Sequence, residues 1–249
     1  MEFRIQNQVI RIAPRDAPRL LSVLNDRLRA RRGFALATLN LDHLVKLRHD
    51  PAFLAAYAQH DLVVADGNPV VWLSRLAGRP VGLAPGADMV VPMARLAAEA
   101  GAGVALVGST EAVLRAAADG LCARVPGLGI AARIAPPMGF DPAGPQGAEV
   151  IAALRASGAG LCLLALGAPK QEIFAGRAHA ALPHMGFASI GAGLDFIAGV
   201  QPRAPLWVRR LALEWLWRAL SSPRRMLPRY ARCAAILPGL TIDAWRLRR

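Results

Sequence analysis

Residues 165–172 read A-L-G-A-P-K-Q-E and close an apolar run that begins at residue 160. Gly167 allows a sharp turn, and Pro169 suits the first turn of a helix, where its missing N–H costs nothing. Lys170 and Gln171 are then held at the helix N-terminus. Free N–H groups, the positive end of the helix dipole and a lysine together favour an anionic ligand such as a diphosphate.

A candidate general base is Asp66, which follows the apolar run L-V-V-A at residues 62–65. An aspartate at the end of a strand can take a proton from a bound hydroxyl, and Gly67 beside it lets a ligand come close. The alternative is an aspartate that only caps a turn or helix. Thr38 and Asn40 end an earlier apolar run and lie two residues apart, so they share a strand face and could hold sugar hydroxyls.

Two further junctions could contact a nucleotide. Gly108, Ser109 and Thr110 follow the run V-A-L-V and precede a helical segment, which suits a phosphate or ribose but also fits an ordinary helix cap. Asp195 lies in S-I-G-A-G-L-D-F, where the glycines leave room for a ligand, or simply form a tight turn. Asp42 is expected to cap a helix, and His43 is more readily structural than catalytic.

These residues need a scaffold, and the first 195 residues alternate apolar runs with segments of helical period. The pattern predicts strands at 34–40, 62–65, 104–107, 130–134, 161–166 and 187–190. It predicts helices at 17–30, 42–59, 69–76, 88–100, 110–124, 145–156 and 170–180. Such alternation indicates an α/β fold with a doubly wound, largely parallel sheet, whose ligands bind at the carboxyl ends of the strands. Every motif above lies at such an end.

The charge of the 249-residue chain is concentrated at its C-terminal end. Residues 196–249 contain 11 arginines and two acidic residues, within a formal net charge of +13 for the whole chain. The segment G-V-Q-P-R-A-P at 199–205 is a candidate boundary between a catalytic domain, 1–198, and a basic, Trp-rich appendage, 199–249. Residues 206–220 predict one amphipathic helix. Arginines beside tryptophans favour an anionic membrane surface over nucleic acid or a plain solvated face.

Several classes of site are disfavoured because their motifs are missing. The sequence has no G-x-G-x-x-G between a strand and a helix, no P-loop, no G-x-S-x-G and no metal-ligand spacing. No apolar segment is long enough to span a bilayer, and no signal peptide is visible. Three isolated cysteines fit a reducing cytoplasm, and all three are expected to be small buried hydrophobic residues.

The order and spacing of the motifs resemble the bacterial WecG/TagA/CpsF glycosyltransferase family, from about residue 34 to residue 230. The matching strings are T-L-N-L-D-H at 38–43, A-D-G-N-P at 65–69, G-A-D-M at 86–89, V-G-S at 107–109, L-G-A-P-K-Q-E at 166–172, G-A-G-L-D-F-I-A-G at 191–199, R-A-P-L-W at 203–207 and E-W-L-W-R at 214–218.

The resemblance implies a Rossmann-like, inverting, metal-independent transferase without a cofactor. Such enzymes move a sugar from a UDP-sugar to a polyprenyl-diphosphate-linked saccharide at the cytoplasmic membrane, so we expect a peripheral protein on its inner face. Asp66 would be the general base, with Thr38 and Asn40 lining the sugar pocket. The resemblance also assigns substrate binding to Gly86, Asp88, Gln171, Arg218, Arg225 and Arg229.

One departure from the family pattern affects phosphate binding. The family often has an arginine shortly before G-x-D, where this chain has Leu83 and no arginine nearby except Arg79. Appendage arginines would then neutralise more of the phosphate charge. The expected sugar is of the N-acetylmannosamine type, although glucose or a uronic acid also fits the family. The remaining alternative is a catalytically inactive protein that binds nucleotide sugars and membranes.

Overall fold

A two-stranded hairpin and a six-stranded sheet make up the β-structure of the computed structural model, which describes residues 1–248 except the side chains of Arg210 and Arg225. The antiparallel hairpin comprises β1 (Glu2–Ile5) and β2 (Gln8–Arg11). The six parallel strands lie in the order β4-β3-β8-β7-β5-β6. They are β3 (Phe34–Leu39), β4 (Leu62–Ala65), β5 (Val104–Gly108), β6 (Ile130–Ile134), β7 (Leu161–Ala165) and β8 (Gly186–Ser189).

Twelve helices occur among the described residues. They are α1 (Ala17–Arg29), α2 (Leu41–Leu47), α3 (Pro51–Ala58), α4 (Asn68–Leu76), α5 (Gly86–Glu99), α6 (Glu111–Arg124), α7 (Pro145–Ser157), α8 (Lys170–Ala181), α9 (Gly193–Ile197), α10 (Leu206–Arg210), α11 (Glu214–Ser221) and α12 (Pro223–Arg246).

Helices cover both faces of the sheet, as the alternation predicted. The sequences of β3 and β4, F-A-L-A-T-L and L-V-V-A, are buried at every position, as expected for parallel strands that are covered on both faces, although β4 is an edge strand. Successive side chains of β3 point to opposite faces of the sheet and belong to two different hydrophobic clusters. Leu36 packs with residues of α1, α5 and α6, whereas Ala37 packs with residues of α2, α3 and α4. The prediction of a doubly wound α/β fold is therefore confirmed.

The predicted helix at 42–59 is wrong in one respect, because it is two helices. Asp50 accepts a hydrogen bond from the N–H of Phe53 at 2.9 Å and caps α3, which starts at Pro51. A residue before proline avoids the helical region, so the chain breaks there. Asp42 was expected to cap α2, but Asn40 does so, accepting a hydrogen bond from the N–H of His43 at 3.0 Å.

The C-terminal segment also differs from the single predicted helix at 206–220. It forms α10 and α11, separated by Ala212, whose φ of +59° lies in the left-handed region. A 24-residue helix, α12, follows in spite of two internal prolines. It packs along α2 and α4, and its Leu240 and Ala244 are buried with Phe3 and Leu44 in the core. The appendage thus continues the core on one side of the sheet.

The described helices include none that is both long enough and apolar enough to cross a bilayer. Cys162 and Cys233 are buried, as expected. The same expectation is wrong for Cys122, which is exposed on α6.

Candidate active site

The site is built around Asp66, which follows β4 at the carboxyl edge of the sheet. Its backbone N–H donates to the carbonyl oxygen of Leu39 at 2.8 Å, which ties the turn to the end of β3. The Thr38 hydroxyl and the Gly86 N–H both donate hydrogen bonds to the Asp66 carboxylate. Gly86 begins α5, so the N-terminus of a 14-residue helix faces this carboxylate.

Burial raises the pKa of the Asp66 carboxyl to about 6. The nearby Glu214 carboxylate acts in the same direction, whereas the Arg218 guanidinium and the hydrogen bonds from Thr38 and Gly86 lower the pKa. Asp66 makes no helix cap, because α4 begins after Gly67 without a side-chain cap. A carboxylate with a pKa close to neutral is suited to accept a proton.

The glycine at position 86 is required by close packing. A Cβ there would lie 3.0 Å from Cα of Ile190 and 3.2 Å from the carbonyl oxygen of Ser189. These residues end β8 and begin the next loop. The loop after β8 therefore sits directly against the helix terminus that binds Asp66.

Thr38 and Asn40, the two other predicted catalytic residues, lie beside the same turn. Thr38 is buried, and its hydroxyl also lies 3.4 Å from the carbonyl oxygen of Ser189. Asn40 uses its side-chain oxygen to cap α2, which leaves its amide NH₂ without a hydrogen-bond partner among the described residues. If Gly67 had a Cβ atom, that atom would lie 3.8 Å from the Cβ of Asn40. The two turns are therefore in contact.

The predicted anion loop brings Lys170 to the start of α8, after Gly167 with a φ of +72°. Pro169 is the N-cap and not the first helical residue. Lys170 is half-buried, and its ammonium group has no carboxylate partner within residues 1–248. A cation at a helix N-terminus is free to meet an anion.

Gln171 is directed into the protein rather than outward. Only 2% of it is exposed. Its Nε2 donates to Oε1 of Glu172 at 2.8 Å, and its Oε1 accepts from the N–H of Gly191 at 3.3 Å. Burial raises the pKa of Glu172 to about 7, although the Gln171 hydrogen bond lowers it. The pair holds the loop after β8 in place. We call the space beside Asp66 at the carboxyl ends of the strands the crevice.

The fold also brings together the residues of the second motif that was predicted to contact a nucleotide. The Ser109 hydroxyl donates to Oδ1 of Asp195 at 3.0 Å, which links the loops after β5 and β8. Gly108 has a φ of +121°, and a Cβ there would collide with the carbonyl group of Ala165 on β7. Ser109 itself has a φ of +53°, a strained conformation of the kind found at ligand sites. Thr110 caps α6 through Val113.

The sequence model of the WecG/TagA/CpsF glycosyl transferases matches residues 6–249. The chain belongs to that family. A relative from Bacillus spizizenii (strain ATCC 23059 / NRRL B-14472 / W23) is 28% identical over 206 residues, which cover 80% of this chain and 77% of the relative. That relative is named N-acetylglucosaminyldiphosphoundecaprenol N-acetyl-beta-D-mannosaminyltransferase.

In this glycosyltransferase, appendage arginines reach the crevice and pair with core aspartates. Arg203 lies 2.6 Å and Arg209 3.5 Å from Oδ1 of Asp88, in the first turn of α5. Asp88 was predicted to bind substrate; its Oδ1 contacts both arginines, and its role in substrate binding stays a prediction. Arg203 and Arg218 also lie over the ring of Phe196, at 5.4 and 5.9 Å from its centre.

The side chains of two of the three predicted phosphate-binding arginines are described by the structure. Arg218 pairs with Glu214 and lies close enough to Asp66 to influence its pKa. Arg229 pairs with Oδ2 of Asp42 at 3.2 Å, on which Lys46 also converges at 3.0 Å. The side chain of Arg225 lies outside the described part of the protein.

His43 serves the core and not the chemistry. Its Nδ1 lies 2.7 Å from the hydroxyl of Tyr57, and burial lowers the pKa of His43 to about 3. The neutral ring is packed edge-on against Phe53 at 5.6 Å.

Sequence reasoning missed Glu172, Phe196, Arg203 and Arg209 as members of the site. Arg203 begins the matching string R-A-P-L-W, and its partner Asp88 lies in the matching string G-A-D-M. No local signal links residues more than 100 positions apart, so only the fold reveals that pair. No cluster of three or more His, Cys, Asp or Glu side chains that could hold a metal occurs in the described residues.

Proposed function

We propose that this glycosyltransferase transfers N-acetylmannosamine from UDP-N-acetylmannosamine to a polyprenyl-diphosphate-linked N-acetylglucosamine in the synthesis of a cell-surface polysaccharide. The acceptor specified in the name of the Bacillus relative supports this substrate class. The single observation that carries the proposal is Asp66. Its carboxyl lies at the carboxyl edge of the sheet, receives hydrogen bonds from Thr38 and Gly86, and has a pKa of about 6.

The proposed reaction is one inverting displacement. The Asp66 carboxylate removes the proton of the acceptor hydroxyl, and the hydroxyl oxygen forms a bond to the anomeric carbon. The bond from that carbon to the diphosphate breaks, and UDP leaves with the bonding electrons. A β-linked product, which the relative's name specifies, requires inversion when the donor is α-linked. Neither a metal ion nor a cofactor is part of the proposal.

Departure of UDP creates negative charge that the enzyme must stabilise. Lys170 and the turns at Gly108 and Gly167 lie at the same edge of the sheet as Asp66. Arg218 is near Asp66, and Arg203 is near Arg218 across the Phe196 ring. We propose that Lys170 and Arg218 neutralise the leaving diphosphate. They would compensate for Leu83, which stands where the family often has an arginine.

We further propose that the appendage holds the enzyme on the inner face of the cytoplasmic membrane. Large apolar side chains of α10 and α11 are exposed, with Trp207 63% exposed, Trp215 51% and Leu220 74%. Arginines occupy the same two helices. Exposed tryptophan beside arginine suits the boundary between lipid headgroups and acyl chains, which is where a polyprenyl-linked acceptor would be found.

The test is a transfer assay with the purified full chain and a short-chain polyprenyl-diphosphate-N-acetylglucosamine. UDP-N-acetylmannosamine, its uronic acid and UDP-glucose are offered separately, and mass spectrometry and NMR identify the product. The proposal predicts addition of one N-acetylhexosamine in β-linkage. Transfer of only another sugar would contradict the donor assignment. Absence of UDP release with every donor would indicate a binding protein without catalysis.

A further inference from the structure

The surface around the N-terminal hairpin contains two adjoining cavities, and neither belongs to the crevice. One has a volume of about 550 Å³ and lies between β1, α2 and the last two turns of α12. The other, of about 450 Å³, lies beside β2 and the start of α1. The two share Met1, Glu2 and Arg79 in their walls. The larger cavity is within the size range of small-molecule sites.

Arginine dominates the charge of the larger cavity. Its walls contain Arg4, Arg48, Arg79 and Arg246, against the carboxylates of Glu2 and Asp243. Glu2 is already paired with Arg11 at 2.9 Å. None of the four arginines has an ion-pair partner among residues 1–248. By contrast, Arg203, Arg209, Arg218 and Arg229 at the crevice all pair with carboxylates.

The smaller cavity adds to this excess of positive charge. Three more arginines line it, namely Arg11, Arg15 and Arg19. Guanidinium groups that face a common space repel one another, and an anion between them relieves that repulsion. Arginine is especially suited to phosphate, which it binds with two parallel hydrogen bonds.

The base of the larger cavity is apolar, so a simple inorganic anion would not match all of it. Phe3, Ile5, Leu44, Leu240 and Ala244 line the cavity and are almost completely buried. Cations at the rim and apolar side chains beneath fit a phosphate that is attached to a hydrocarbon chain.

Helix α12 also carries an exposed face, whose last residue is next to the cavity residue Arg246. Exposed, uncharged residues recur along it at spacings of three and four, which place them on one face. They are Leu227, Ala231, Ala234, Pro238, Ile242 and Trp245. Trp245 is 46% exposed and precedes the cavity residue Arg246. Leu240 and Ala244, which line the cavity, lie on the opposite, buried face of α12, so the cavity adjoins this exposed face only at the helix end, through Arg246.

We propose that the cavity between β1, α2 and the end of α12 binds the phosphate headgroup of an anionic phospholipid. The site is separate from the catalytic crevice. It deepens the membrane association proposed above, since it adds a headgroup site at the opposite end of α12 from Arg229.

Vesicle binding provides the first test, with phosphatidylcholine vesicles that contain or lack phosphatidylglycerol. The site variant is Arg48→Gln/Arg79→Gln/Arg246→Gln. The matched control, Arg32→Gln/Arg95→Gln/Arg115→Gln, removes the same charge from exposed arginines beyond the cavities. We expect the site variant to bind phosphatidylglycerol vesicles at least about tenfold more weakly than the control. Equal losses of affinity in both variants would overturn the proposal. Nonspecific electrostatic attraction between the basic protein and the anionic vesicles would then explain the binding.

A second arm separates a lipid headgroup from a free phosphate. Titration calorimetry with monomeric short-chain phosphatidylglycerol should give binding that is lost in the site variant. Inorganic phosphate at the same concentration should give none. If inorganic phosphate binds equally well and depends on the same arginines, the lipid assignment is wrong.

Two controls keep this test independent of folding and of catalysis. The single variant Arg246→Gln changes an exposed residue in the last turn of α12 and should show part of the same loss. Full binding by Arg246→Gln would contradict its role in the site. Turnover of the triple site variant in detergent, with a short-chain acceptor, should stay within about twofold of wild type, because no residue that lines the cavity is among the groups that act on Asp66. A large loss of turnover would contradict a separate site. Absence of turnover in the wild type as well would refute the proposed function and leave the lipid measurement interpretable.

Discussion

Opposing electrostatic influences set the protonation of Asp66. Burial and the Glu214 carboxylate favour the neutral acid, whereas Arg218 and two hydrogen bonds favour the carboxylate. Catalysis as a base requires the carboxylate. Activity should therefore be lost as the pH falls through the pKa of Asp66 and regained above it.

We predict that kcat/KM has an acidic limb near pH 6. Arg218→Gln removes a cation and should move this limb to higher pH. Glu214→Gln removes an anion and should move it to lower pH. Initial rates across a pH series, at donor concentrations well below KM, measure both shifts. Limbs that move in the same direction, or not at all, would contradict the electrostatic account.

The second prediction concerns the effect of Glu172 on how the stability of the folded protein depends on pH. Burial raises its pKa in the folded protein from 4.5 to about 7. A raised carboxyl pKa contributes stability that is present below pH 4.5 and is lost as the pH rises through about 7. Glu172→Gln keeps the shape and an acceptor for Gln171 but does not titrate. The melting temperature of the wild type should therefore fall relative to that of Glu172→Gln over this range, as calorimetry would measure. A constant difference would mean that Glu172 titrates normally.

At the residue scale, the sequence was a good guide to which turns form the site. It was a poorer guide to the contacts that each side chain makes. Asp66, Thr38, Ser109 and Asp195 were singled out from strand ends, and the fold does bring Thr38 to Asp66 and Ser109 to Asp195. The inward orientation of Gln171 could not be predicted, because its partner Gly191 follows a different strand. The roles of these residues in the reaction stay predictions.

At the element scale, buried parallel strands were predictable because their sequences are continuous apolar runs. The hairpin of β1 and β2 was missed, since E-F-R-I and Q-V-I-R are short and mix charged with apolar residues. Helix α12 was missed for another reason. Pro228, Pro238 and Gly239 argue against a helix, yet packing on α2 and α4 stabilises one. Tertiary contacts overrode local preference there.

The contact between α5 and α10 leads to a third prediction. Asp88 pairs with Arg203 and Arg209, so Asp88→Asn should loosen the segment that joins the core to the appendage. Limited proteolysis between residues 199 and 213 should accelerate by about fivefold, equivalent to ~1 kcal/mol for partly exposed ion pairs. The control Glu99→Gln changes an exposed acid on the same helix and should have no effect. Equal cleavage of both variants would show that the ion pairs do not hold the appendage.

At the scale of the whole molecule, charge and exposed apolar area both concentrate in residues 199–249. The core provides Asp66 and the loops that we propose to bind the nucleotide, and the appendage provides Arg203, Arg209 and Arg218. The buried contacts of α12 mean that deletion of the appendage would also expose part of the core. Point substitutions therefore test membrane binding more cleanly than truncation does.

We predict that Trp207→Ser weakens binding to vesicles that contain phosphatidylglycerol by roughly tenfold or more, because insertion of a large apolar side chain contributes about 1.5–3 kcal/mol. Met138→Ser is the control, since Met138 is fully exposed in the loop after β6. Co-sedimentation measures both affinities. Similar affinities for Trp207→Ser and wild type would indicate that α10 does not insert.

The most direct test of the central claim is the effect of Asp66→Asn on transfer and on donor binding, measured together. The variant keeps the size of the side chain and its place beside Thr38 and Gly86, but it cannot accept the acceptor proton. We predict a fall in kcat of roughly 100- to 10,000-fold, with the dissociation constant for UDP-sugar little changed by calorimetry. Near-normal turnover with Asp66→Asn would contradict the assignment of Asp66 as the general base.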